Sequence, residues 1–196
     1  MYTHIPFGPF SAEKEVHGLI DNVVLPDHGM ILFAVIDKTR DRSGEDDEGA
    51  LAGMIGYMNT STRNLSTEIG CVITLPPFQR THVTSNAVGL LLQYALEPPS
   101  NGGLGLRRVQ WQTNSLNVAS LRAAEKMGFK MEGVLRWDRI FHDGKARGKT
   151  GNGRDPPKGS EDDIGRDSVL LSHCWDDWEQ GGREKVLAVM ERRQSS

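Results

Sequence analysis

The sequence predicts a mixed α/β (α+β) fold: a mostly antiparallel central sheet flanked by helices, with one parallel crossover beside a ligand cleft. Three observations carry this reading. Apolar or period-two runs of strand length recur along the chain, separated by polar turns. Two other stretches space their apolar residues as amphipathic helices do. Between two of the strands, a polar turn opens directly into one of these helices, and strand–helix–strand implies a right-handed parallel crossover.

That unit organises the chain. Its strand is Thr67 to Leu75, its turn Pro76 to Thr84, and its helix starts at Ser85. In the helix, Val88, Leu91, Leu92, Ala95 and Leu96 recur at i, i+3, i+4, i+7 and i+8, one stripe that packs on the sheet. The helix stops at Pro98-Pro99, and the period-two run Arg107 to Thr113 is the parallel partner strand. A turn leading into a helix presents unpaired backbone N–H groups and the positive end of the helix dipole, which together suit a phosphate or pyrophosphate. The ligand is placed here.

The remaining elements follow in order. Met1 to Ser11 is irregular. Ser11 is read as an N-cap, with Lys14 where a capping box would place Glu, and a short helix through Val16, Leu19 and Ile20 stops before Pro26. Met30 to Asp37 is a continuous apolar run, as in a strand covered on both faces, and is expected to be a central strand. Residues 38–49 hold no apolar side chain and form a solvated loop. Ala50 to Asn59, interrupted by Gly53 and Gly56, pairs with the next strand across Thr60 to Leu65, completing a three-strand antiparallel meander. Asn114 to Met127 is a second helix capped near Asn117 or Asn114, with Gly128 just past its end. Phe129 to Phe141 is a strand, residues 142–166 a glycine-rich charged loop, and Ser168 to Cys174 the last strand. A terminal helix carries Trp175, Trp178, Val186, Leu187, Val189 and Met190.

At 196 residues the chain is expected to be one domain, 1–196. A net charge of −3 gives no global field to favour nucleic acid or membrane, and the basic Arg107-Arg108 pair and Arg136 to Lys149 cluster lack an aromatic-basic pattern. Cys71, Cys174 and six scattered histidines show no metal spacing, so no metal is expected. No apolar run approaches the roughly 20 residues that cross a bilayer, and the start lacks a basic segment followed by an apolar one; a cytoplasmic protein is expected.

Several motifs together resemble the GNAT N-acetyltransferase superfamily. These are Gln79-Arg80-Thr81-His82-Val83-Thr84 before the apolar helix and the block N-x-x-S-x-x-x-x-x-K-x-G-F-x-x-E-G running from Asn117 to Gly133. With Arg166-Asp167-Ser168 and Trp178, the pattern looks nearest the branch of the ribosomal-protein alanine acetyltransferases. The resemblance implies acetyl-CoA as donor, its pyrophosphate on main-chain N–H groups of the turn and its pantetheine along the preceding strand. Carried over, the cofactor residues are Val72, Ile73, Gln79, Arg80, Thr81, His82, Val83, Thr84, Ser85, Asn117 and Ser120. His82 and Thr84 stand where the family pattern has glycine or alanine, which matters only where the backbone needs positive φ.

The implied reaction transfers the acetyl group to a primary amine of a protein or small molecule by direct attack in a ternary complex. An ammonium with a pKa near 10 must lose its proton and the leaving thiolate must be stabilised. Ser120 is the candidate for the thiolate. Glu68 and Asp138 are the candidate bases; in Arg136-Trp137-Asp138-Arg139 a positive residue stands where relatives carry an acid, Asp138 is one register position away, and a one-residue shift in a strand points it to the other face. The family's first strand and helix have no counterpart in the sequence, leaving a sheet edge that a second copy could cover in a homodimer. The reading from another class is a non-catalytic CoA-binding or regulatory module.

Overall fold

The computed structural model describes residues 2–5, 7–40, 49–141, 148–149 and 164–192. Most of the loop expected at 38–49 and most of that at 142–166 lie outside these residues. Helix α1 (Glu13–Leu19) widens into a π-type turn over Ile20–Val24. Strands β1 (Ile31–Asp37), β2 (Ala50–Ser61) and β3 (Ser66–Thr74) form the antiparallel meander. Helix α2 (Val83–Leu96) crosses to β4 (Arg108–Asn114), which pairs parallel to β3. Helix α3 (Val118–Lys126), β5 (Lys130–Phe141) and β6 (Ile164–Cys174) follow, and α4 (Trp175–Asp177) is joined by a kinked turn to α5 (Arg183–Glu191).

The six strands make one sheet of order β1-β2-β3-β4-β6-β5, antiparallel at every pairing except β3–β4. The mixed, mostly antiparallel fold with one parallel crossover is therefore as the sequence predicts. The expected α2 stripe is the centre of the core: Val88, Leu91, Leu92, Ala95 and Leu96 are buried against Ile55, Ile69, Val109 and Trp111. At about 1.5–3 kcal/mol for each large side chain, this burial holds the turn before α2 more firmly than the turn's own hydrogen bonds.

Three expectations are corrected. The Met30 to Asp37 run is an edge strand, with Ile31, Phe33 and Ile36 exposed, because a continuous apolar run reports hydrophobicity and not the number of neighbouring strands. Ser11 does not cap α1; the N-cap is Ala12, and the Ser11 amide and hydroxyl both donate to the Glu15 carboxylate at 2.7 Å. Ile164 to Arg166 belong to β6, not to the preceding loop, because Phe141, Ile140 and Arg139 of β5 pair with them.

Two of the sheet's register shifts bear on the site. Ile55 of β2 faces both Cys71 and Val72 of β3, a bulge in which Cys71 takes a φ of 52°. Such an extra residue bends the strand. Just before it β3 parts from β4: the two pair only at Ser66–Arg108, Thr67–Val109 and Glu68–Gln110, while β4 stays paired to β6 as far as Asn114. In β5, Arg136, Trp137 and Asp138 form a second bulge between the Leu135–Ser168 and Arg139–Arg166 pairs.

Candidate active site

The gap between the splayed ends of β3 and β4 opens into a cleft of about 620 Å³, walled by the start of α2 on one side and α3 on the other. Of the residues assigned to the cofactor from the sequence, Val72, Ile73, Gln79, Arg80, Thr81, Thr84, Ser85, Asn117 and Ser120 line it. The side chains of His82 and Val83 instead line an apolar cavity of about 410 Å³ between β1 and α2.

At one end lies the turn before α2. Gln79 Nε2 donates to the Thr74 carbonyl at 3.0 Å and the Thr81 hydroxyl to the Phe78 carbonyl at 2.6 Å, so the turn is closed by its own side chains. The hydroxyls of Thr74 and Thr84 meet at 2.7 Å, fixing the helix to the strand end. Positive φ falls on Arg80, at 62°, whereas His82 has φ −68° and Thr84 lies within the helix, so the two positions that lack glycine are unstrained. The Val83 amide donates to Thr81 Oγ1 at 3.3 Å; the next two amides, of Thr84 and Ser85, are first-turn donors with no intrahelical acceptor. Arg80, Arg122 and Lys126 bring positive charge to the same cleft, and Lys126 Nζ donates to Ser85 Oγ at 3.2 Å. His82 Nε2 is 3.4 Å from the buried Asp37 carboxylate. Burial pushes Asp37 up, but the Thr39 hydroxyl and amide together with His82 outweigh it and hold the carboxyl below its usual range.

Further along, Asn117 caps α3 by accepting from the Ser120 amide at 3.2 Å. The Ser120 hydroxyl accepts from the Trp111 indole at 3.0 Å. An indole N–H can only donate, so the hydroxyl proton of Ser120 is left to be given elsewhere.

The carboxylates expected as bases stand together, set back from the lining. Glu68 is 7% exposed and accepts from Asn59 Nδ2 at 2.8 Å. Burial pushes its carboxyl up, against the pull of Asn59, Arg139 and Arg166. The β5 bulge settles the register of Asp138, which accepts from the Ser168 hydroxyl at 2.6 Å and lies 3.4 Å from Arg139 Nε. Arg139 also donates to Gln112 Oε1 at 2.8 Å. Cys71, on the cleft wall, has its thiol pushed up to about 11 by burial and by Glu68.

The cleft also holds residues that the sequence reading missed. Gln112 was visible as the polar phase of the β4 alternation; Arg166 was hidden in a charged, glycine-rich run and is only 5% exposed. Burial and the nearby Arg139 lower Arg166 to about 10. His4 and Ile5 bring the N-terminal segment to the cleft mouth. Among the described residues, one group has metal-ligand spacing, Cys174, Asp176 and Asp177 at the β6–α4 junction, and Asp177 there is ion-paired with Lys130. No helix among the described residues is long and apolar enough to cross a membrane.

Known proteins share this architecture. A GCN5-related N-acetyltransferase from Brucella melitensis superposes with a TM-score of 0.73 at 23% identity, covering 100% of this chain and 76% of its own. A GNAT-family protein from Chromobacterium violaceum gives 0.66 at 28%, with 91% and 72% covered. A spermidine N-acetyltransferase from Vibrio cholerae, in complex with CoA and spermine, gives 0.61 at 14%, with 91% and 84% covered. No curated protein sequence matches the chain. The family model of the GNAT acetyltransferase domain matches residues 2–130, more than half the chain, and the protein belongs to the GNAT acetyltransferase superfamily.

Proposed function

We propose that the protein transfers an acetyl group from acetyl-CoA to a primary amine by direct attack within a ternary complex. One observation supports this above others: a single cleft has orphan amides and cations at one end and a serine hydroxyl with a free proton at the other. The Thr84 and Ser85 amides with Arg80, Arg122 and Lys126 would hold the pyrophosphate. Val72 and Ile73, beyond the Cys71 bulge, would flank the pantetheine in the gap that β4 leaves open. Ser120 would give its proton, or a hydrogen bond, to the leaving thiolate, with Asn117 and Trp111 fixing its position. Glu68, reached through water, is the favoured acceptor of the amine's proton, and Asp138 the alternative; bringing amine and thioester together supplies the larger share of the rate.

The spermine complex of the Vibrio cholerae enzyme shows a polyamine bound on this fold, which supports an amine acceptor without selecting one. That both carboxylates stand behind the lining favours a second reading, a CoA-binding module without turnover. A homodimer through the open β1 edge is part of the proposal, supported by exposed Ile31, Phe33 and Ile36; a gel-filtration mass at the monomer value removes it.

Calorimetric titration with acetyl-CoA tests the assignment. Ser85→Pro deletes one orphan amide at a helix position that tolerates proline, so about tenfold or more weaker binding is expected from the loss of one charge-assisted bond. A panel of amines then separates the readings: turnover lowered in Ser120→Ala supports the enzyme, and binding without turnover supports the module. No binding at high micromolar donor overturns both.

A further inference from the structure

Arg166 is a buried residue that lines the cleft and carries an unpaired donor. Its Nε is buried and has no hydrogen-bond partner among the described residues. Its charged neighbours are Glu68, Asp138 and Arg139, but both carboxylates are engaged by other donors, Glu68 by Asn59 and Asp138 by Ser168 and Arg139. A guanidinium has five N–H groups and no acceptor, and leaving even its buried Nε–H unpaired is unfavourable. Gln112 lines the same cleft and, like Arg166, has Arg139 as a neighbour. Because Arg139 can only donate, Gln112 meets it with its oxygen and has only its NH₂ left to offer. Two residues of the cleft lining therefore have donors to offer a ligand.

A donor-only pair calls for an oxyanion. The two carboxylates and two guanidiniums of the cluster cancel in formal charge, which suits a monoanion better than a phosphate, and the fork of an arginine matches the two oxygens of a carboxylate. The cations placed for phosphates are at the other end of the cleft.

We propose that Arg166, assisted by the Gln112 amide, binds a carboxylate of the acceptor, so that the acceptor class is an amine carrying a carboxylate, an amino acid or a close analogue. This rests on the acetyltransferase reading above. With the carboxylate anchored on β6, the amine is oriented toward the thioester held between β3 and β4.

The test uses the full chain with two readouts. Acetyl transfer is measured on amino acids and on their carboxamides at fixed pH, and calorimetry measures binding of N-acetyl amino acids and their amides to the CoA-saturated protein. The unmodified protein should prefer the free acids by about 10- to 100-fold in KM and in product affinity, as for a charge-assisted pair. Arg166→Gln should abolish that preference, Arg166→Lys restore it in part, and Gln112→Glu reverse it by repulsion, all with acetyl-CoA affinity retained. Equal use of acids and amides, a preference that survives Arg166→Gln, or no acid binding overturns the proposal. Acid binding that depends on Arg166 without turnover of any amine upholds this site and overturns the proposed catalysis instead.

Discussion

The Trp111 indole donates to the Ser120 hydroxyl across 3.0 Å, joining strand β4 to helix α3 at the cleft. If Ser120 serves the thiolate, Ser120→Ala lowers kcat by about 100-fold, the lower range of proton-transfer catalysis, with acetyl-CoA affinity within a few-fold. Trp111→Phe keeps a ring in the core but frees the hydroxyl, and gives a smaller loss in the same direction. Steady-state kinetics with parallel calorimetry separate the two parameters.

Glu68 must be ionised to accept a proton. Its carboxyl is raised, chiefly by burial, so kcat/KM rises with pH through a limb displaced above the ordinary carboxylate range. In Glu68→Gln that limb disappears and the rate falls by about 100-fold or more. An unchanged limb in the variant would pass the role to Asp138.

His173 ties stability to pH. It is fully buried, its Nδ1 lies 3.2 Å from the Met127 carbonyl, and burial lowers its pKa. The unfolded chain therefore takes up a proton first: the contribution is complete above the unfolded value of about 6.5 and is lost as pH falls below it. Melting temperatures between about pH 5 and 7 should show this slope, flattened in His173→Phe.

Leu92 is fully buried in the α2 stripe. Leu92→Ala is expected to lower unfolding free energy by about 2–5 kcal/mol, read by urea denaturation.

Much of the scaffold was legible in the residues. The α2 stripe and the meander rest on local periodicity, and Asn117 and Gly128 sit at the ends of α3 as their residue types suggest, Gly128 with φ 88°. What was hidden depends on partners distant in sequence. That β1 is an edge follows from which strands pair, and the β3–β4 splay lies next to the Cys71 bulge, which no composition signal marks. The positive φ at Arg80, and not at His82 or Thr84, was equally unreadable, because a non-glycine residue carries it. Arg166 is part of a motif in the sequence, but its place in the cleft follows only from β5 bringing Arg139 and Asp138 beside it.

The parting of β3 from β4 also bears on how the fold breathes. Among the described residues, the backbone groups of Gly70 to Thr74 that face β4 have no strand to bond, so this half of the seam is secured there from one side only, by β2. A long, extended molecule lying in the gap would close that seam as a strand does. Amide hydrogen exchange should accordingly run faster along residues 70–74 than at 66–68 in the free protein, and ligand occupancy should erase much of the difference.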